Sequence, residues 1–166
     1  MTVEKSQEKP APAADRELTV SRVVHAPAAL AFNAWTEPTQ LEQWWAPPDC
    51  ETRVHAMAVE PDGKTRLVVR DQDGFEHPTT LVYGDITAAR SLSYMQSDDG
   101  DPDNGASAFS VALRFDEEGA ELTRVTMTML FKTPAVRDLA ASECNAGFGA
   151  HETLGRLDQF LKAFLP

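Results

Sequence analysis

Residues 109–131 read FSVALRFDEEGAELTRVTMTMLF, two runs in which apolar and polar side chains alternate on either side of an acidic turn. The apolar positions are Phe109, Val111, Leu113 and Phe115 in the first run, and Val125, Met127, Met129 and Phe131 in the second. Successive side chains of a β-strand point to opposite faces, so each run predicts a strand with one buried and one wet face. The stretch therefore predicts an antiparallel sheet that buries one side.

The same two-residue period extends back to Cys50. Strands are predicted at 51–59, 64–71, 76–87, 91–97, 107–116 and 121–131. The turn sequences Pro61-Asp62-Gly63 and Asp73-Gly74 separate neighbouring strands. A further strand is predicted at 17–25, where β-branched residues are frequent. The sequence thus predicts a sheet of about seven strands.

Helices are predicted on both sides of this strand-rich region. Pro27 begins a first short helix, since proline is tolerated at the first helical position. A second short helix opens near Pro38, carries Leu41, and ends before Pro47-Pro48. One long amphipathic helix is predicted over 134–164 from apolar residues recurring every three or four positions. The order favours one α+β domain over 17–166, with an antiparallel sheet packed on the long helix.

Composition limits the classes of partner. The chain has 166 residues, with 15 Lys+Arg against 26 Asp+Glu, and a formal net charge of −11. Such a chain repels phosphate backbones and anionic lipids, so neither nucleic acid nor a membrane is an expected partner. Two acidic loops, at 98–103 and 116–121, hold eight of the carboxylates. No run approaches the roughly 18 apolar residues of a membrane helix.

The first residues and the cysteines favour a cytoplasmic protein. Residues 1–16 show no periodicity and no apolar core of a secretory signal, so a flexible tail is expected there. Cys50 and Cys144 are far apart and belong to no CxxC motif. We therefore expect two free thiols in a reducing compartment.

No cofactor or metal is expected. The chain lacks the HExxH, GxSxG, P-loop and GxGxxG motifs, and its four histidines do not stand at metal-ligand spacing. A run beginning at Asp99 superficially resembles a calcium loop. Its sixth position is Asn104 rather than glycine, and its twelfth is Ser110 rather than glutamate. A solvated acidic loop is the better interpretation.

Cofactor-free acid–base chemistry stays open as an alternative. The polar residues on predicted strands are His55, Arg66, Arg70, Tyr83, Asp85 and Tyr94. Of these, His55, Arg70 and Tyr83 are the candidate catalytic residues, because a titratable group facing the space between sheet and helix could transfer protons. A surface or structural role is the stronger interpretation of each one separately.

Residues 35–47, WTEPTQLEQWWAP, follow His25-Ala26-Pro27 and precede the strand motifs Leu81-Val82-Tyr83 and 124–128 in a fixed order. This pattern resembles the SRPBCC (START-like) superfamily, in the branch of the C-terminal domain of the activator of heat-shock-protein-90 ATPase. The resemblance spans about residues 17–164. It implies a helix-grip fold, in which a curved antiparallel sheet wraps the C-terminal helix and leaves a hydrophobic tunnel.

Relatives of this superfamily bind lipids, sterols, polyketides or plant hormones, and some catalyse cyclisation or hydrolysis. Two positions depart from the branch. Thr65 stands where an aromatic residue is frequent, and Gly147-Phe148 stands where Gly-Trp is frequent. Both changes are expected to alter the shape of the cavity.

Three functions follow as hypotheses. The first is binding of a small hydrophobic or amphipathic molecule between sheet and helix. The expected cavity lining is Phe109, Val111, Leu113, Met127, Met129 and Phe131 on the sheet, Phe148, His151 and Leu154 on the helix, and Trp45 near the mouth. The same residues would also suit a solid core. The second is a cyclase- or hydrolase-type enzyme. The third is a protein-interaction module, including a chaperone contact, that uses the acidic loops.

Overall fold

The computed structural model describes residues 13–97, 109–142 and 146–163, with only the backbone at 13–14, 139–142 and 146–150. Within these ranges the strands are β1 (Glu17–Val24), β2 (Glu51–Met57), β3 (Lys64–Arg70), β4 (Glu76–Thr87), β5 (Ser91–Ser97), β6 (Phe109–Gly119) and β7 (Leu122–Leu130). The helices are α1 (Ala13–Arg16), α2 (Ala28–Thr36), α3 (Pro38–Trp44), α4 (Pro134–Ser142) and α5 (Ala146–Lys162).

The seven strands form one open sheet in the order β1-β7-β6-β5-β4-β3-β2. Each pair of neighbours is antiparallel. Strands β2 to β7 follow one another as hairpins, whereas β1 pairs with β7 at the far edge. Helices α2 and α3 carry the chain from one edge of the sheet to the other. The predicted α+β helix-grip architecture, with two short helices after the first strand, is confirmed.

Strands β6 and β7 follow the predicted alternation. Their inward side chains are buried, and these are Val111, Leu113, Phe115, Val125, Met127 and Met129. Strand β6 continues to Gly119, beyond the predicted end at residue 116, because Gly119 pairs with Leu122 after an irregularity at Glu117. The acidic turn is therefore tighter than predicted, and two of its carboxylates form ion pairs, Asp116 with Arg114 and Glu118 with Arg124.

The two ends of the domain differ in detail from the prediction. The predicted helix over 134–164 corresponds to α4 and α5, and residues 143–145 lie outside the described ranges. At the other end, α1 occupies positions where a tail was predicted. Arg16 Nη1 donates to the Phe131 carbonyl at 3.1 Å, and the Phe131 N–H donates to the Arg16 carbonyl at 3.0 Å. These bonds tie the start of β1 to the end of β7.

A tryptophan cluster fixes the position of α3. Trp44 is 1% exposed, its Nε1 donates to the Ala34 carbonyl at 3.0 Å, and its ring meets Trp35 edge-on at 4.7 Å. The last carbonyls of a helix lack partners within the helix. Here Arg156 of α5 donates Nε to the Trp44 carbonyl at 3.2 Å and Nη2 to the Trp45 carbonyl at 3.1 Å. The C-terminal helix therefore holds α3 in place.

A buried carboxylate joins α5 to β1. Asp158 is 1% exposed and accepts hydrogen bonds from the His25 backbone N–H at 2.9 Å and, at 3.0 Å, from the His25 ring. Arg22 and Lys162 each approach its other oxygen to 3.6 Å. Burial alone would raise the pKa of Asp158, but the bonds from His25 and the charge of Lys162 lower it overall.

Candidate functional site

The register of the sheet places chemically distinct side chains in one inward row. Tyr94 of β5 lies opposite Val111 of β6, and Val111 lies opposite Met129 of β7. Two residues further along β5, Gln96 lies opposite Phe109. Alternation along each strand sends these side chains to the face that packs against the helices. Aromatic, aliphatic, thioether and amide groups are therefore neighbours.

This row forms one wall of a cavity of about 240 Å³. The described residues that line the cavity are Trp45, Tyr94, Gln96, Phe109, Val111, Met127, Met129 and Thr153. Trp45 follows α3 and Thr153 belongs to α5, so the cavity lies between the sheet and the helices. Most of the lining is apolar, and four side chains offer hydrogen-bonding groups, namely Trp45, Tyr94, Gln96 and Thr153. Concave apolar sites with a few polar groups are typical of small-molecule binding sites.

Tyr94 is the most deeply buried polar group in this wall. It is 3% exposed, and no described residue forms a hydrogen bond with its hydroxyl. Burial, with the neighbouring Tyr83 as a second cause, raises the pKa of Tyr94 well above its usual range. The group is therefore a neutral phenol that can both donate and accept a hydrogen bond.

Tyr83 lies beside Tyr94, with their rings 6.2 Å apart and nearly perpendicular. Its hydroxyl shares a hydrogen bond of 2.6 Å with Thr65 Oγ1. Burial raises the pKa of Tyr83, and this bond offsets part of the rise. Thr65, one of the departures from the family pattern, thus gives Tyr83 a partner within the protein. Tyr83 does not line the cavity as far as the structure describes it.

The structure brings five of the predicted lining residues together, namely Trp45, Phe109, Val111, Met127 and Met129. Leu113 is buried but lies outside the lining, in the adjacent row between Leu92 and Met127. Phe131 and Leu154 are likewise buried in the core. His151 is exposed, so its expected inward position is wrong. The side chain of Phe148 lies outside the described residues.

Tyr94, Gln96 and Thr153 were not predicted as cavity residues. Tyr94 and Gln96 follow Leu92 at two-residue spacing on β5, so the strand period places all three on the same face. That period is the signal that identifies their face. Thr153 precedes Leu154 on α5, and only the packing of the helix decides that it faces the cavity. Its hydroxyl accepts a hydrogen bond from Arg156 Nη2 at 3.3 Å.

The candidate catalytic residues do not converge. His55 and Arg70 are exposed and line a depression of about 190 Å³ on the outer face of the sheet. Arg70 pairs there with Glu76 at 3.2 Å. Tyr83 is 2% exposed on the opposite, inner face. His55 shares the outer face with Glu51 and Arg53, as alternation along β2 predicts, although the register shifts between Val54 and Ala56.

Two further classes of site are absent from the described part of the chain. No group of three or more His, Cys, Asp or Glu side chains there is arranged to hold a metal ion. No helix of the described residues is long and apolar enough to cross a membrane.

Solved structures share this fold over most of their length. Protein Ms6760 from Mycobacterium smegmatis is 19% identical, with a TM-score of 0.76 over 96% of this chain and 99% of that one. Protein NE0264 from Nitrosomonas europaea is 22% identical, with a TM-score of 0.75 over 93% and 99%. A protein from Arthrobacter aurescens is 19% identical, with a TM-score of 0.81 over 92% and 90%. At these identities the likeness shows the fold alone.

A comparison with curated proteins gives no match. A family model, in contrast, matches residues 25–162, from the end of β1 through α5. The match includes the tryptophan cluster, all strands after β1 and every described residue that lines the cavity. The chain belongs to the family described as Activator of Hsp90 ATPase homolog 1-like protein, which is of the SRPBCC (START-like) type.

Proposed function

We propose that the protein binds a small, mainly apolar molecule in the cavity between the sheet and the helices. The observation that carries the proposal is the apolar space of about 240 Å³ beside Trp45, Val111 and Met129. An engineered apolar cavity of about 150 Å³ in another protein is sufficient to bind benzene. Pockets for drug-sized ligands reach about 300–1,000 Å³. The cavity therefore suits a molecule near the size of one substituted ring.

The lining also favours binding over a permanently empty space. Methionine side chains adapt their shape because they are unbranched and polarizable, and Met127 and Met129 both line the cavity. Trp45 is half-buried at its boundary, and its ring contacts Trp35 edge-on at 6.0 Å. A rigid aromatic side and an adaptable thioether side together fit a range of apolar shapes.

Filling the cavity is expected to abolish binding. We expect Val111→Phe to remove the rise in melting temperature that single-ring probes such as benzene, toluene and indole produce in the wild-type protein. A probe at ten times its Kd stabilises the folded state by about 1.4 kcal/mol, which is a rise of about 3–5 °C for a domain of this size. Differential scanning fluorimetry across a probe series measures this effect.

Ala112→Phe is the matched control. Ala112 neighbours Val111 on β6 but is exposed on the outer face of the sheet, so the added ring does not enter the cavity. This variant should keep the wild-type response. A wild-type protein that no apolar probe stabilises, or equal responses from Val111→Phe and the wild type, would contradict the proposal.

A protein contact is a second candidate function, as the family description suggests. An open groove of about 740 Å³ runs between α5 and the segment after α3, and Pro47, Pro48 and Phe160 contribute to its lining. The same groove is lined by the charged residues Arg22, Glu152 and Arg156. If this surface serves a chaperone, the purified protein should raise the ATPase rate of an Hsp90. An unchanged rate at saturating protein would contradict that function.

We also propose a cytoplasmic location. Cys50 is a free thiol, and unpaired thiols are usual in reducing compartments. Cys144 lies outside the described residues.

A further inference from the structure

The cavity has one polar end with an unused hydrogen-bonding group. Within the described residues, Trp35 Nε1 is the one fully enclosed side-chain polar atom that lacks a partner. The hydroxyl of Tyr94 also lacks a partner there, but it is not among the fully enclosed atoms. Tyr94 belongs to an inward row and is one of the residues that line the cavity.

The neighbouring tyrosine does not occupy this hydroxyl. The Tyr83 ring lies 6.2 Å from the Tyr94 ring, and the Tyr83 hydroxyl bonds to Thr65 Oγ1 at 2.6 Å. A buried hydroxyl without a partner costs about 1–3 kcal/mol in a protein interior. A bound molecule that supplies a polar atom beside Tyr94 would relieve this cost, whereas a wholly apolar molecule would not.

The charge of the lining limits what that molecule can be. None of the described residues lining the cavity is acidic or basic. Moving an ionised group out of water into such a site is unfavourable unless an opposite charge meets it. A neutral oxygen needs only a hydrogen bond, which the protonated Tyr94 hydroxyl can donate. Gln96, at the edge of the same wall, offers an amide that can both donate and accept.

We propose that the cavity selects neutral single-ring molecules that carry one hydroxyl or carbonyl oxygen, and that the Tyr94 hydroxyl binds this oxygen. The inference rests on the proposed binding function. It specifies a ligand class that excludes carboxylates and places the polar group of the ligand beside β5.

Matched probes test the inference on the 166-residue chain. The probes are benzene, phenol and benzoate, and their Kd values are measured by NMR titration with the wild type and with Tyr94→Phe. The variant keeps the ring and removes an unpartnered hydroxyl, so we expect it to fold and to be at least as stable as the wild type. It should weaken phenol binding about 5- to 10-fold, which is the range of one hydrogen bond, and leave benzene binding within about twofold.

The outcomes separate this inference from the proposed function. Benzene binding with equal phenol affinities in both proteins would overturn the role of Tyr94 and leave the binding function intact. Benzoate binding to the wild type as tightly as phenol would overturn the selection of neutral molecules, and this comparison requires no variant. If no probe binds the wild-type protein, the proposed function fails and the inference fails with it.

Discussion

Replacing Trp44 by alanine is expected to lower the free energy of unfolding by about 3–5 kcal/mol, the usual range for removing a buried tryptophan. The ring is enclosed, packs edge-on against Trp35, and donates its N–H to the Ala34 carbonyl at 3.0 Å. The substitution therefore leaves both a cavity and an unpaired buried carbonyl. Urea denaturation followed by circular dichroism measures the change, which corresponds to a drop of about 10 °C or more in melting temperature.

The adjacent tryptophan is the control for this prediction. Trp45 is only half-buried, so Trp45→Ala should cost less than about 2 kcal/mol. The Trp45 ring lines the cavity. We therefore expect Trp45→Ala to reduce the free energy of ligand binding by more than it reduces the free energy of unfolding. Equal destabilisation by the two substitutions would show that the distinction drawn between core tryptophan and cavity tryptophan is wrong.

The second large effect is expected at the buried carboxylate. Asp158→Ala should lower the free energy of unfolding by about 3 kcal/mol, because it removes an ionised acceptor that two His25 N–H groups share. Arg22, His25 and Lys162 are roughly half exposed, so water can solvate them once the carboxylate is gone. That exposure keeps the expected loss at the lower end of the range for a broken buried pair.

The same site predicts a pH dependence with a definite sign. The pKa of Asp158 is lower in the folded state than its ordinary value, so the folded protein holds this carboxyl ionised more strongly than the unfolded chain does. The stabilisation is fully present above the unfolded pKa, about 3.9, and is lost as the pH falls through the folded pKa. The stability difference between wild type and Asp158→Ala should therefore shrink between about pH 5 and pH 2.

An exposed ion pair supplies the comparison. Asp116 pairs with Arg114 at 3.3 Å on the surface, and Asp116→Ala should cost less than about 1 kcal/mol. A loss at Asp158 no larger than the loss at Asp116 would contradict the structural role of this carboxylate. So would a difference from the wild type that stays constant at low pH.

The strands were predictable because their signal is local. Alternation from Phe109 to Phe131 depends only on the two-residue period, and neither strand needs information from elsewhere in the chain to define its inner face. The apolar wall residues Val111, Met127 and Met129 followed directly from that period. The family resemblance then specified how sheet and helix pack together.

The polar half of the site depends on contacts between distant parts of the chain. The place of Tyr94 in the cavity wall depends on the register that pairs it with Val111 of the next strand. His55 shares the face of Glu51 and Arg53, as the period predicts, but which face of β2 is the outer one depends on how the sheet packs on the helices. His151 matched the helical period but lies at the exposed edge of the apolar stripe, which only packing defines.

Methionine methyl NMR during a benzene titration tests the central claim, binding in the cavity, most directly. Met127 and Met129 line the cavity, whereas Met57 and Met95 do not line it and serve as internal controls. We predict that the methyl signals of Met127 and Met129 shift and saturate as benzene is added, while those of Met57 and Met95 stay in place. Four unmoved signals, or four signals that drift together in proportion to the benzene concentration, would show that the cavity does not bind the probe.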